Sequence, residues 1–210
     1  MTKRNPARAL LRALLDALLP TRCAGCGRQD TPWCQTCAGA LAAPFPVHRP
    51  HLPPTTAAAA YAGPARRLVI AAKERNRRDL YPVIAAALVS GVPPARPLTL
   101  VPVPSRPAAS RRRGGPHMTA IAREVGGRVG LPVAEPLVLG RGARDSVGLG
   151  ARERGRNLAR HLRVRPEALP DTPVVLVDDV LTTGASAVAC ARALRGHGTK
   201  VAAVVVCVAA

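Results

Sequence analysis

Aromatic side chains are almost missing from this sequence: Trp33, Phe45, Tyr61 and Tyr81 are the only ones in 210 residues. Sheets that stack several bases need aromatic clusters, so the sequence argues against an RNA-recognition sheet or an OB-fold strand binder. Acids are scarce too. Twelve Asp and Glu stand against 31 Lys and Arg, a formal net charge of +19. Lysine contributes only Lys3, Lys73 and Lys200, so the excess is arginine. It has two readings: a polyanionic partner such as nucleic acid, or a G- and C-rich coding bias that yields an Ala-, Arg-, Gly- and Pro-rich chain without any ligand. No apolar run is long enough to span a bilayer. The stretch Ala9–Leu19 is short and interrupted by Arg12 and Asp16, which does not fit a secretion signal. Leu11, Leu14, Leu15 and Leu18 share one helical face, which predicts an amphipathic helix packed on the rest of the chain. A cytoplasmic location is expected.

What is present is a core-forming chain, 48% apolar, with an alternating pattern. Helical periodicity occurs near Ala65–Arg75, Leu80–Ser90, Met118–Gly126, Arg152–His161 and Ala185–Arg195. Strand-like stretches fall at Leu98–Val103, Val133–Leu139, Val174–Val177 and Val201–Val208. The runs VVLV and VAAVVVCV have no polar alternation, the pattern of strands covered by helices on both faces. An α/β fold with a mostly parallel sheet follows, with ligands outside the carboxyl ends of the strands. Residues Pro44–Pro54 hold five prolines in eleven positions and exclude helix or central strand. They read as a linker, which places residues 1–50 (helix, cysteine knuckle and linker) before an α/β domain at 51–210.

Cys23-x-x-Cys26 and Cys34-x-x-Cys37 are separated by seven residues. Each pair can present two thiolates from one turn, and two turns supply the four tetrahedral ligands of structural zinc. Redox pairs and disulfides are the alternatives, and a cytosolic chain disfavours both. So short a segment has little core, and metal binding would provide much of its folding energy. His48 and His51 are surplus to this set. Cys190 and Cys207 fall on an apolar helix and strand and are expected in the core.

The most informative segment is VVLVDDVLTTGAS, Val174–Ser186. A buried strand leads into Asp178 and Asp179, then a hydroxyl- and glycine-rich loop opens a helix. Thr182, Thr183, Gly184, Ala185 and Ser186 can aim N–H groups and hydroxyls at a phosphate at the positive end of that helix. The acid pair can accept hydrogen bonds from two sugar hydroxyls. The alternative is an acidic turn with an ordinary helix cap, but two acids at a buried strand end are costly without partners.

This segment resembles the signature of the phosphoribosyltransferases. The resemblance implies that Asp178 and Asp179 hold the ribose hydroxyls of 5-phosphoribosyl-1-diphosphate (PRPP) and that Thr182–Ser186 cradles its 5′-phosphate. It also implies that magnesium arrives with the diphosphate. Several purine-salvage members carry an acid where Thr182 stands here, so no general base is identified. The strand end VPVPS (Val101–Ser105), the following RPAASRRRGGPHM and the later SVGLGARERGRN extend the likeness. Together with the cysteine knuckle they resemble the ComF/GntX family along essentially the whole chain. The resemblance implies a type I phosphoribosyltransferase fold, a small N-terminal zinc module, and a connection to natural competence. Two positions depart from the family pattern. RGFNQ appears as Arg113-Gly-Gly-Pro-His117, and the Gln of QxGL is Ser146.

The Arg-rich loop can close over a diphosphate leaving group and neutralise it, with Arg112 and Arg113 as the expected catalytic cations beside Asp178 and Asp179. A solvated basic loop and a DNA phosphate contact are its other readings. Lys73, in the family's lysine position, is expected to join the PRPP site, against the reading of an exposed helix-end lysine. Two functions stay open at this point. One is a phosphoribosyl transfer that releases diphosphate. The other is a non-catalytic, PRPP-sensing module that handles single-stranded DNA with the uptake machinery.

Overall fold

The computed structural model describes residues 21–105, 110–111, 114–140 and 160–210. The expected helix over Ala9–Leu19, most of that over Arg152–His161, and residues Arg112, Arg113, Ser146, Arg154 and Asn157 lie outside them.

Five strands make the main sheet: β1 (Phe45–Pro46), β2 (Thr55–Ala60), β3 (Thr99–Pro102), β6 (Val174–Leu181) and β7 (Val201–Ala209). Their order is β1-β2-β7-β6-β3, with β4 (Leu137–Leu139) and β5 (Leu162–Val164) paired as a separate antiparallel ribbon. β2, β7, β6 and β3 are mutually parallel and only β1 runs antiparallel. The mostly parallel α/β sheet expected from the unbroken apolar runs is what forms.

Each apolar run serves two layers because successive side chains on a strand point to opposite faces. On one face Val175, Val177, Ala203 and Val205 pack with α1 (Gly63–Glu74), α2 (Tyr81–Val89) and α3 (His117–Val129). On the other, Val174, Leu176, Val204 and Val206 pack with α4 (Ala185–Arg195) and the β4–β5 ribbon. Helix α1 starts with Pro64 in its first turn, where the missing N–H has no intrahelical partner to lose. It buries Ala65, Leu68, Val69 and Ala72, the i, i+3, i+4, i+7 stripe of an amphipathic helix. Full burial of Leu68 alone is worth about 1.5–3 kcal/mol.

β2 is the strand that local pattern does not reveal. Its sequence TTAAAA is poor in strand formers, yet it pairs with β7 from Thr55↔Val204 to Ala60↔Ala209. The proline-rich segment is tied to it. Phe45–Pro46 forms an edge strand on β2, where the missing proline N–H is tolerated, and Val47 donates its N–H to the Thr55 carbonyl at 2.8 Å. Among the described residues no helix is long and apolar enough to cross a membrane.

Candidate functional site

The cysteines converge. Four Sγ atoms, from Cys23, Cys26, Cys34 and Cys37, all lie within 4.8 Å of one another. Sγ of Cys26 and Cys34 are 3.5 Å apart, close to the spacing of about 3.8 Å implied by a tetrahedron with metal–sulfur bonds of about 2.3 Å. The turn is built for them. The Gly27 N–H bonds the Cys23 carbonyl at 2.9 Å, and the Cys34 N–H reaches Cys23 Sγ at 3.4 Å. A Cβ on Gly25 would stand 2.5 Å from Cys37 Sγ, so only glycine lets the backbone pass this close to the sulfurs. Trp33 packs on the cluster, and Arg67 ties it to α1 by donating to the Gly25 carbonyl. Burial raises the Cys23 thiol, but N–H groups from Cys34, Cys26 and Gly25 outweigh it and bring the pKa down to about 6. Burial, then the neighbouring thiols, push Cys37 up. A soft four-sulfur set of this shape can hold a metal such as zinc. His48 and His51 are not part of it. Cys190 and Cys207 are fully buried in the two core layers, where burial pushes Cys207 up to about 12.

The second constellation sits at the carboxyl ends of β3 and β6. Asp178 and Asp179 are both buried, at 9% and 3% exposure, inside the last turn of pleat of β6. As strand neighbours they point to opposite faces. Asp179 faces the α1–α3 layer. Its Oδ2 lies 2.8 Å from His117 Nε2, at the start of α3, and 3.0 Å from Lys73 Nζ, in the last turn of α1. Lys73 also donates to Oδ1 at 3.1 Å. His117 continues the chain, its Nδ1 standing 3.1 Å from Ser105 Oγ just past β3. Asp178 instead accepts the Asp179 N–H at 2.8 Å.

These surroundings separate the two acids chemically. Burial and then the charge of Asp179 push Asp178 up to about 8. Burial would raise Asp179 as well, but the Lys73 ammonium and the His117 hydrogen bond hold it well below the usual carboxylate range. The site therefore carries one anchored anion and one acid poised near neutrality.

Beyond the acids the chain turns sharply into α4. Gly184 has φ +78°, a left-handed conformation that suits glycine, and forms the N-terminal cap of the helix. Thr182 and Thr183 are exposed, and Thr183 Oγ1 accepts the Ala185 N–H at 3.4 Å. Arg49, from the proline-rich segment, lies beside this loop and donates Nε to the Thr182 carbonyl at 3.2 Å.

Of the residues expected at the site, the structure thus brings Asp179 and Lys73 into contact, with Asp178 adjacent and Thr182–Ser186 at the head of α4. Three further residues were not assigned a role from sequence: Ser105, His117 and Arg49. His117 had a signal, since it occupies the departure from RGFNQ. Arg49 had none, because it stands 133 positions from Thr182 in the chain.

No protein-family model matches the chain. No curated protein matches it either. Among solved structures it is similar to a hypoxanthine phosphoribosyltransferase from Staphylococcus aureus, at 13% identity, over 63% of this chain and 61% of that one, with a TM-score of 0.33. It is also similar to the Trypanosoma cruzi hypoxanthine phosphoribosyltransferase in complex with the product IMP, at 14% identity, over 64% of this chain and 65% of that one, with a TM-score of 0.32. The likeness thus spans less than two thirds of these enzymes.

Proposed function

We propose that this protein binds magnesium-PRPP and transfers its ribosyl-5-phosphate group with release of diphosphate, as a member of the ComF/GntX family. The observation that carries this reading is the arrangement of β6 and α4. A buried acid pair at the strand end is followed directly by a Thr-Thr-Gly-Ala-Ser loop at a helix N-terminus. In this reading the Thr182–Ser186 loop receives the 5′-phosphate, whose charge suits the positive end of the helix that follows. Arg49 adds a cation beside the loop. Asp178 and Asp179 orient the ribose, and Lys73 keeps Asp179 ionised. Arg112 and Arg113 are assigned to the diphosphate, where fixed positive charge offsets the charge that develops as the C1–O bond breaks. Magnesium enters as part of the substrate, on the diphosphate oxygens, and the zinc module at 1–50 has a structural role beside the transferase domain at 51–210.

Titration of magnesium-PRPP into the purified protein by calorimetry tests this, with ribose 5-phosphate as the control. Saturable binding specific for the 1-diphosphate is expected. Heat no different from the control would overturn the reading.

A second reading is a PRPP-sensing module without turnover that also binds single-stranded DNA for uptake. The net charge of +19 favours it. So does the absence, at Thr182, of the acid that purine-salvage enzymes carry.

A further inference from the structure

Ser105, His117, Asp179 and Lys73 come from four separate elements and form one continuous hydrogen-bonded chain. The contacts are 3.1 Å from Ser105 to His117, 2.8 Å from His117 to Asp179 and 3.0 Å from Asp179 to Lys73. Sheet register explains the meeting. β3 pairs with β6 as far as Pro102↔Val177, and the Val103 N–H bonds the Val177 carbonyl at 2.9 Å, which carries Ser105 alongside the acid pair. The ring between them is buried, with 4% of the His117 side chain exposed.

Donor counting orients the link to the carboxylate. Asp179 is anionic beside Lys73, and a carboxylate can only accept. His117 must therefore donate to it through Nε2–H. That leaves Nδ1 facing Ser105, and where Nδ1 offers its lone pair the hydrogen bond runs from the Ser105 hydroxyl to the ring. Ser105 itself is half-buried.

We propose that Ser105 is a base-activated hydroxyl, polarised by His117 and oriented through Asp179, and that it takes the proton from the nucleophile attacking the sugar carbon. The sugar half of this rests on the phosphoribosyl reading above; the activation of the hydroxyl does not. The step balances. A nucleophile bearing N–H or O–H forms a bond to C1 with its lone pair, and the C1–O electron pair leaves with diphosphate. The nucleophile's proton passes to Ser105 Oγ while the serine proton passes to His117 Nδ1, and Asp179 stabilises the resulting imidazolium. Ser105 supplies the base missing at Thr182, and His117 and Asp179 are positioning residues behind it.

Three measurements on the full chain test this. Diisopropyl fluorophosphate probes the hydroxyl directly: Ser105 Oγ attacks phosphorus, fluoride leaves, and the proton goes to His117. A Ser105 adduct, located by peptide mass, is expected, with its rate falling at least tenfold in His117→Gln. No adduct, or one indifferent to His117→Gln, would overturn the proposal. Because His117→Gln disturbs a buried position, nitrogen NMR of the wild-type imidazoles serves as a second readout. An Nε2-protonated ring is expected for His117, with an Nδ1 resonance that moves in Ser105→Ala. An Nδ1-protonated or doubly protonated ring overturns it. For the sugar step, Ser105→Ala is expected to bind magnesium-PRPP as the wild type does, yet to release diphosphate about 100-fold more slowly with water or nucleobases as acceptors. Equal rates would remove the proton role. If the wild type fails to bind PRPP, the phosphoribosyl reading and the proton role fall together, while labelling still decides whether the hydroxyl is activated.

Discussion

His117 and Asp179 stand 62 positions apart in the chain and meet at 2.8 Å in the protein interior. With Lys73 on its other side, Asp179 is a structural anion as well as a candidate ligand group. Its folded pKa is depressed, so its contribution to stability is present above the ordinary value of 3.8 and is lost as pH falls through the lower folded value. Lys73→Met removes the ammonium and leaves the carboxylate with His117 alone. The lysine is about one-third exposed, so solvent screens part of the pair, and a loss of about 1–3 kcal/mol is expected, below the 3–5 kcal/mol typical of fully buried pairs. Denaturant unfolding near neutral pH measures it, and an unchanged midpoint would show that His117 suffices.

Asp178 has the opposite sign. Burial, then the Asp179 charge, raise it to about 8. The folded protein holds a proton that the unfolded chain releases near 3.8, so this group's stabilising contribution is full at low pH and is lost as pH rises through about 8. Asp178→Asn keeps an oxygen for the Asp179 N–H and cannot ionise. Between about pH 5 and pH 8 its thermal midpoint is expected to decline less than that of the wild type. Parallel curves would mean that Asp178 is already ionised when folded.

The cysteine cluster should depend on Gly25. A methyl there meets Cys37 Sγ at 2.5 Å and the Trp33 ring at 2.9 Å. Gly25→Ala is expected to cost about 1–3 kcal/mol and to lower the zinc recovered per chain by atomic absorption. Chelator treatment of the wild type should lower its thermal midpoint. Full zinc retention in Gly25→Ala would place the metal elsewhere.

Gly184 tests the phosphate loop. Alanine at φ +78° costs about 1–2 kcal/mol, and its methyl also stands 3.2 Å from Leu52. Weaker PRPP binding is expected in calorimetry, together with the lower midpoint. A Gly184→Ala variant that melts early but binds normally would separate the loop from the ligand.

If the surplus of cations serves nucleic acid, affinity for single-stranded DNA should fall steeply with salt, with a logarithmic slope of about −0.7 for each phosphate neutralised. Fluorescence anisotropy at several salt concentrations measures this. A flat profile would leave the arginine content to base composition.

What could be read from the sequence was whatever local pattern encodes: the unbroken apolar runs of β6 and β7, the stripe of α1, the spacing of the four cysteines, and the acid-hydroxyl-glycine order of 178–186. Each is a short-range arrangement whose physics acts within one element, by periodicity, turn geometry or ligand spacing. β2 was not legible because alanine has little strand preference, and its pairing with β7 rather than its own composition makes it a strand. Nor was the difference in surroundings between the adjacent acids, which local pattern leaves alike. Strand pleat turns them to opposite faces, and only packing against α1 and α3 places Lys73 and His117 on one and not the other. The relay from Ser105 and the approach of Arg49 to Thr182 likewise depend on sheet order and strand register, which bring distant segments to one edge and which no local signal records.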